Sequence, residues 1–480
     1  QSVFESKEEE KSMKLNRITF LIIILLSGMF VTVIFGNNEI NVTYLDGMLS
    51  VKTRIAHYVF NAQEGVLSEV TLTMDTQQLI YRNDNDGFYI TLEASPIVPS
   101  QVLVNGTDIS EFQNKTKKFD QDIIVTFDYG VFQKVITILF GPLYQINVEL
   151  NGEIPANLEM AFPRVGFVSE DRVQEDGAIM TSYYEKTKAL AIWKLNAQSS
   201  SFFKIDGSKD ANKLTVTYHG LSVTGYIGPA KKMTFINRAF PEDTVWISRI
   251  INSYPGASSW YDPLFYLFVG LIDWLKSITG NYGWAIILFT IIIRTLMYPL
   301  FHMQTKSMID RKKLEEDPEY KKIMKIEDKQ KKQEALMKFY KEKKVSLAGG
   351  CLPMLIQMPF FFLLFAVIRY ESELFIYSRG FLIWQDLAIG GFMENIPLVL
   401  ISAVIGFFNS LITTSDSKMA LQGVLMGAIF PFLFITLPTG LQLYWVTSTL
   451  YQFIVTFYAY KKNDIHGLSV KEFFTSLKKQ

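Results

Sequence analysis

The chain contains an apolar run, Gly283–Leu300, that holds a single arginine, Arg294. A positive charge at the centre of a membrane helix costs roughly 2.5–3.5 kcal/mol on insertion scales. Because the run contains no acidic residue, the arginine needs water or a partner from elsewhere in the chain. The competing interpretation is that the helix ends at Pro299 and that the arginine side chain extends to a membrane interface.

Other apolar runs approach the length of about 20 residues that a membrane helix requires. The predicted transmembrane helices are six, at residues 18–36, 283–303, 351–370, 396–414, 419–437 and 441–460. The first run is long for a signal-peptide core and lacks a clear cleavage site after it, so we interpret it as an uncleaved anchor. Residues 1–17 are polar and are interpreted as a cytoplasmic N-terminus or a tag remnant.

Positively charged residues predict which ends of these helices lie in the cytoplasm. Lys14 and Arg17 precede the first run, and Lys461 and Lys462 begin a tail over 461–480. The block from Met303 to Lys344 contains fourteen Lys/Arg and nine Asp/Glu, whereas the few charged residues of the segment 371–395 are mainly acidic. The pattern predicts that both termini are cytoplasmic and that 371–395 is an extracytoplasmic loop.

Residues 37–255 show the alternation of apolar and polar side chains that is typical of strands. Turn signals such as Asn151-Gly152 separate the strand-like stretches. The expected strands are Val70–Met74, Phe88–Ala94, Asp122–Tyr129, Val131–Phe140, Tyr144–Leu150 and Leu214–Gly220. This pattern predicts an antiparallel β-sandwich, outside the cytoplasm because it follows one outward span. A sugar-binding role and a scaffold role both remain open for it.

Two further helical segments flank the run that contains Arg294. Residues 260–280 mix aromatic and apolar side chains with sparse charges, which predicts an amphipathic helix in the membrane interface; a poor transmembrane helix is the alternative. Residues 304–350 predict a cytoplasmic hairpin with helices at about 304–325 and 328–343. The second carries an apolar stripe that suits lipid headgroups or a partner protein, although a solvated face explains the charges equally well.

Several classes of function find no support in the sequence. The 47 basic and 47 acidic residues balance, so the net charge does not favour direct binding of nucleic acid. One cysteine and four scattered histidines form no metal-binding or redox motif, and no nucleotide-binding or nucleophile motif is present. The prediction is a protein that is not an enzyme, with no catalytic residue, metal or cofactor.

Polar side chains recur inside the predicted membrane helices. Thr290 lies one turn from Arg294, and Gln357 and Gln422 occur in other spans. The last span contains Gln442, Tyr444, Trp445, Thr447, Ser448, Thr449 and Gln452. Each has an ordinary structural explanation, because such residues often join helices or anchor them at the interface. Together with an arginine that lacks an acidic partner in the spans, they favour a hydrated cavity within the bundle.

A cationic cavity of this kind would attract a negative group. One class of function is an anion transporter or channel; the other is a machine that receives acidic, otherwise apolar polypeptide segments and releases them into lipid. The spans show no obvious inverted repeat, which counts against a secondary transporter. A third possibility is an anchored sugar-binding sensor that depends on 37–255.

Several long motifs resemble the YidC family of membrane protein insertases, most closely the bacterial branch with a large periplasmic domain. They are Tyr282–Leu300, Lys306–Met308, Ala348–Phe365 and Phe430–Gln452, with the shorter motif Gly225–Pro229 in the β region. The resemblance implies an α-helical polytopic protein of the bacterial inner membrane, with a periplasmic β-supersandwich. It implies an insertase and chaperone that acts alone or beside the Sec translocon.

The resemblance also implies roles for individual residues. Five spans would form a hydrophilic groove in which Arg294 attracts acidic segments of nascent membrane proteins. Thr290, Tyr444 and Trp445 match positions that line the groove in the family. Gln422 matches a polar groove position, and Gln357 is a further candidate. The hairpin matches a region implicated in substrate capture and in contacts with the ribosome and with the signal recognition particle receptor.

Overall fold

The computed structural model divides the chain into two compact units, Asn37–Asp262 and a helical unit within Pro263–Gln480. It describes residues 39–73, 78–82, 87–165, 170–173, 178–196, 202–205, 212–216, 221–254, 261–315, 317–326, 328–343, 352–414, 420–421, 423–424, 429, 431–465 and 467–477. The predicted anchor at 18–36 lies outside the described residues, as does part of the span predicted at 419–437.

The first unit is built mainly from strands. The described ones are β1 Ile40–Leu45, β2 Met48–Lys52, β3 Ala56–Asn61, β4 Val66–Leu72, β5 Gln78–Arg82, β6 Ile90–Leu92, β7 Ser95–Pro96, β8 Gln101–Val104, β9 Thr107–Asp108, β10 Thr116–Phe119, β11 Ile123–Asp128, β12 Phe132–Ile138, β13 Gln145–Gly152, β14 Leu158–Phe162, β15 Glu170–Val173, β16 Ile179–Tyr184, β17 Ala189–Leu195, β18 Phe202–Ile205, β19 Asn212–Val216 and β20 Leu221–Pro229. A short 3-10 helix, Ile109–Phe112, follows β9. Two helices that the strand pattern did not predict, α1 Met233–Ala239 and α2 Thr244–Ser253, end the unit.

The strands form three antiparallel sheets. A six-stranded sheet has the order β10-β1-β2-β3-β4-β5, and a nine-stranded sheet has the order β15-β16-β17-β20-β13-β12-β11-β8-β9. A five-stranded sheet has the order β18-β19-β14-β6-β7. Alternate residues of β12 are buried, as expected for a strand with one face on a core. The large antiparallel β-sandwich domain predicted from the sequence is therefore confirmed.

Aromatic rings join the sheets across the core. Phe60 of β3 lies 6.3 Å from Phe127 of β11, ring centre to ring centre. Trp193 of β17 lies 5.4 Å from Phe162 of β14 and 5.2 Å from Phe88, and its indole nitrogen donates to the Pro163 carbonyl. Such contacts add to the stabilisation from apolar burial, which is about 25 cal/mol per Å².

A lysine is buried in this core. The Nζ of Lys134, on β12, donates to the carbonyls of Gly65 (2.5 Å) and Phe88 (2.7 Å) and lies 5.0 Å from the centre of the Phe127 ring. Burial lowers the pKa of Lys134 to about 7. Below this pKa the buried lysine is protonated, and its charge is then destabilising because burial has removed it from water.

The free energy of unfolding of the first unit is expected to rise between pH 7 and pH 10. Lysine in an unfolded chain titrates near pH 10.4, so over this window the unfolded state binds more protons than the folded state. One such group contributes at most about 1.4 kcal/mol per pH unit. Pulse proteolysis in urea across this pH range measures the slope, and Lys134→Met should flatten it. Parallel pH profiles for the two proteins would exclude Lys134 as the source.

The second unit consists of helices. They are α3 Asp262–Thr279, α4 Tyr282–Leu296, α5 Tyr298–Glu315, α6 Pro318–Met324, α7 Lys329–Glu342, α8 Leu352–Tyr370, α9 Ser372–Ile376, α10 Phe392–Thr413, α11 Thr439–Lys462 and α12 Val470–Leu477. Among the described residues, α10 has the length and apolar composition to cross a membrane by itself, and α4 and residues Gln357–Tyr370 of α8 are shorter apolar helices. The count of six spans stays a prediction.

The helix that carries Arg294 is interrupted at Met297. Proline has no amide hydrogen for the carbonyl four residues earlier, and here α4 ends at Leu296 and α5 begins at Tyr298, one residue ahead of Pro299. Helix α5 then continues to Glu315, so the expected start of the hairpin at 304 lies inside a continuous helix.

The first hairpin helix differs from the expected single helix over 304–325. Asp317 accepts a hydrogen bond from the Glu319 amide (2.9 Å), and Pro318 occupies the first turn of α6. An aspartate cap followed by proline begins a new helix, and this signal lies in the sequence itself. Within its described residues the hairpin therefore contains the end of α5, α6 and α7, and Leu314 of α5 packs on a cluster of Tyr320, Phe339 and Tyr340 from the other two helices.

Candidate polar site around Arg294

Arg294 is buried in the helical unit, with 6% of the residue exposed. Its Nε donates to the Ser448 hydroxyl at 2.6 Å, and its terminal nitrogens donate to Ser448, to the Gln357 side-chain oxygen and, at 3.5 Å, to that of Gln452. The guanidinium carbon also lies 4.5 Å from the centre of the Phe301 ring. This burial argues against the interpretation in which the arginine extends to an interface.

Every hydrogen-bond acceptor of Arg294 within the described part of the chain is uncharged. Neutral acceptors satisfy the donors of a guanidinium but leave its positive charge uncompensated. A buried charge without a counter-ion is costly, and a carboxylate bound to it would make a stronger, charge-assisted and bidentate contact. An incoming anionic group can therefore replace the side-chain amide of a glutamine as a hydrogen-bond acceptor of Arg294.

Three helices hold this site together. Helix α4 supplies Arg294, α8 supplies Gln357, and α11 supplies Ser448 and Gln452. The Nε2 of Gln357 also donates to Ser448 at 2.7 Å, so the serine hydroxyl is shared by both partners. Because the hydrogen bonds run between helices, Arg294 positions the three helices relative to one another.

The first turn of α4 is fixed by the loop that follows α9. The side chain of Asn281 caps the helix by accepting from the Gly283 amide (2.7 Å), and its Nδ2 donates to the carbonyls of Arg379 (3.1 Å) and Gly380 (2.9 Å). A Cβ at Gly283 would lie 2.1 Å from the Phe381 ring, so only glycine allows this packing. The cap and this close contact fix the position of the helix that carries the arginine.

The other residues predicted for the site differ from one another in their position relative to the Arg294 cluster. Thr290 is buried, and its hydroxyl donates to the Ile286 carbonyl of its own helix at 2.6 Å. Tyr444 is buried beside Gln357 and Ser448, and it belongs to the cluster. The ring of Trp445 lies 6.0 Å from that of Phe361 on α8. Gln422 lies outside the described residues.

Ser448 and Gln452 are the site residues that sequence reasoning did not select. In the sequence they are two of several polar residues in the last span. Their spacing is the signal, because Tyr444, Ser448 and Gln452 recur at four-residue intervals and so share one face of α11. The Nε2 of Gln452 extends this polar row by donating to the Thr456 hydroxyl at 3.2 Å.

Comparison with known proteins identifies the family. Residues 274–466, which include the whole Arg294 cluster, match the family described as 60Kd inner membrane protein. The membrane protein insertase YidC of Thermotoga maritima is 37% identical to this chain over 444 residues, which cover 92% of this chain and 94% of that protein. The chain belongs to the YidC family of membrane protein insertases.

Solved YidC structures share its fold. A crystal structure described as an active YidC insertase with the first transmembrane domain resolved has a TM-score of 0.74 and 35% identity, and it covers 92% of this chain and 98% of that chain. The crystal structure of YidC from Thermotoga maritima has a TM-score of 0.63 and 30% identity, with 87% and 99% covered. The family that the sequence motifs predicted is thus confirmed.

Within the described residues of this YidC-family chain, no group of three or more His, Cys, Asp or Glu side chains is placed to hold a metal ion.

Proposed function

We propose that this chain inserts nascent membrane proteins by receiving their acidic segments at the Arg294 cluster and releasing their apolar segments into lipid. The observation that carries the proposal is a buried guanidinium whose acceptors, Gln357, Ser448 and Gln452, are all neutral. An incoming carboxylate competes well with a glutamine amide, because it adds charge to the hydrogen bond. When the segment leaves, the amides rebind the arginine, so the site is restored without covalent chemistry.

The proposed topology follows the charge pattern and the apolar helices. Six spans place both termini and the 304–350 hairpin in the cytoplasm of a bacterium, and they place 37–255 and the loop 371–395 in the periplasm. Helix α3 lies in the membrane interface: one face is buried through Phe268 and Ile272, while Leu267 and Trp274 on the other are exposed.

The proposed partners are those expected for an insertase of this family. Nascent membrane proteins and the bilayer are the direct ones. The Sec translocon, the signal recognition particle receptor and the ribosome would meet the chain on the cytoplasmic side or within the membrane. Nucleic acid is not proposed as a direct partner.

Site-directed photocrosslinking tests the proposal. A photoreactive residue at 290, 444 or 448 is expected to crosslink to a ribosome-bound nascent chain that exposes its first apolar segment. The same residue at 454, where Ile454 is exposed on another face of α11, serves as the control. Position 445 extends the test to Trp445. Equal crosslinking from 448 and 454 would contradict a site centred on Arg294.

Anion transport is the rival that the buried charge also suggests. Purified protein in liposomes is expected to insert a short membrane protein without passing small anions. Saturable anion flux that is lost in Arg294→Ala would favour the transporter instead.

A further inference from the structure

The chain after the last long helix turns back and packs against the end of α10. The Leu468 amide donates to the Leu411 carbonyl at 2.9 Å. A Cβ at Gly467 would lie 2.1 Å from the same carbonyl, so the backbones are in close contact there. Ser469 and Glu472 cap α12 reciprocally, at 2.8 and 3.2 Å. The tail therefore ends in a short helix with a fixed start and a fixed site of attachment.

One residue of α12 anchors it. Phe473 is 3% exposed and packs in a cluster with Leu411 and Ala420, to which Phe407 and Leu468 also contribute. The rings of Phe473 and Phe407 lie 5.7 Å apart. This contact joins the tail to the end of α10 and to Ala420.

The surface of α10 that meets α12 belongs to an apolar stripe. Leu400, Val404, Phe407 and Leu411 follow one another at intervals of three or four residues and so lie on one face. Leu400 and Val404 are 59% and 40% exposed, whereas α12 covers the lower end of the stripe. If α10 crosses the membrane, the exposed part of this stripe faces lipid, and α12 lies where the stripe reaches the cytoplasmic interface.

The outer face of α12 continues that stripe. Phe474 is 53% exposed, although its ring lies 6.4 Å from that of Phe407, and Val470 is exposed one turn earlier. Lys461, Lys462 and Lys471 are exposed close by in the chain, and Lys478 and Lys479 follow in the sequence. Exposed apolar side chains beside lysines are the pattern of a helix that binds an anionic membrane surface.

We propose that α12 is a membrane-surface helix that inserts Phe474 and Val470 into the inner leaflet, with Lys471 and the nearby Lys461 and Lys462 at the end of α11 on the headgroups of anionic phospholipids. The proposal rests on the membrane placement of α10 proposed above. It gives the tail a function distinct from the Arg294 cluster: it holds the cytoplasmic end of α10 at the interface.

Spin labels measure the depth of α12 in the full-length protein. In a Cys351→Ser background, which removes the single native cysteine, the labelled variants are Phe474→Cys, Thr475→Cys and Leu400→Cys. Thr475 is exposed on the polar side of α12 and is the matched control. The protein is reconstituted in vesicles of equal parts phosphatidylcholine and phosphatidylglycerol. The ratio of oxygen to nickel-chelate accessibility is expected to be several-fold higher at 474 than at 475.

The outcomes separate the proposal from its alternatives. In vesicles of phosphatidylcholine alone, the ratio at 474 should fall; an unchanged ratio would overturn the role of anionic headgroups. Equal, water-like ratios at 474 and 475 would overturn the insertion of Phe474. The insertion would also be overturned if neither oxygen nor the nickel chelate reached the label at 474, or if the label were shielded from the nickel chelate only after ribosomes were added. Water-like values at 400 would instead refute the membrane placement of α10.

Discussion

Replacing Arg294 with alanine is expected to reduce the insertion of a substrate with an acidic translocated segment by at least about tenfold, which corresponds to about 1.4 kcal/mol. Two opposite charges about 4 Å apart, at an effective dielectric constant near 20, attract by roughly 4 kcal/mol, and the desolvation of the carboxylate offsets part of this. The initial rate of insertion into proteoliposomes, read by protease protection, measures the effect. For a substrate whose acidic residues are replaced by Asn and Gln, Arg294→Ala should reduce the insertion rate far less.

Two controls separate charge from geometry. Arg379→Ala removes an exposed arginine in the loop after α9 and should leave insertion unchanged. Arg294→Lys keeps the charge but cannot reproduce the donors that the guanidinium directs at Ser448 and Gln357. We expect an intermediate rate for lysine. Equal losses for lysine and alanine would indicate that bidentate geometry, rather than attraction, is what the substrate needs.

The arginine itself was predictable from the sequence, because one charge in an apolar run demands an explanation. Its partners were only partly predictable. Thr447 and Thr449 donate to carbonyls of their own helix, and the Gln442 amide donates to the Pro431 (3.1 Å) and Phe434 (2.7 Å) carbonyls. A polar side chain in an apolar helix has such local alternatives, so its type does not reveal its partner. Ser448 and Gln452 are distinguished by the face they share with Tyr444.

In the β-domain, too, some features can be predicted from the sequence and others cannot. Strand positions such as β12 and β13 follow from alternation, which is a local property of the sequence. The sheet order depends on pairings between distant segments, such as Leu150 of β13 with Leu221 of β20. No local pattern specifies which strands become neighbours. The helices α1 and α2 were missed because, at 7 and 10 residues, they are too short to show a clear helical period after the strands that precede them.

Gly225→Ala is expected to lower the free energy of unfolding of the β-domain by about 3 kcal/mol, through overpacking and the displacement of a buried ring. Gly225 pairs with Trp193 on the neighbouring strand, and an added Cβ would lie 2.0 Å from the indole ring. The ring cannot move freely, because it packs against Phe88 and Phe162. Pulse proteolysis in urea, read with an antibody against the domain, measures the loss.

A second substitution tests the stated cause. In a Trp193→Leu background the clash is absent, so Gly225→Ala should then cost much less, and the two effects should be non-additive. Gly270→Ala, in α3 of the helical unit, adds a Cβ that meets no atom within 4 Å and should leave the unfolding of the β-domain unchanged. Additive losses would mean that the indole ring is not the obstacle.

The same variant discriminates between the functions proposed for the two units. Among the described residues, the hydrogen-bond acceptors of Arg294 lie within Pro263–Gln480, so we expect a destabilised β-domain to leave the charge and these acceptors in place. Insertion by Gly225→Ala in proteoliposomes should therefore persist at conditions where proteolysis shows the β-domain open. An anchored sugar-binding sensor predicts the reverse, since its activity would disappear with the fold of that domain. Loss of insertion in step with unfolding would assign the β-domain a direct part in the activity.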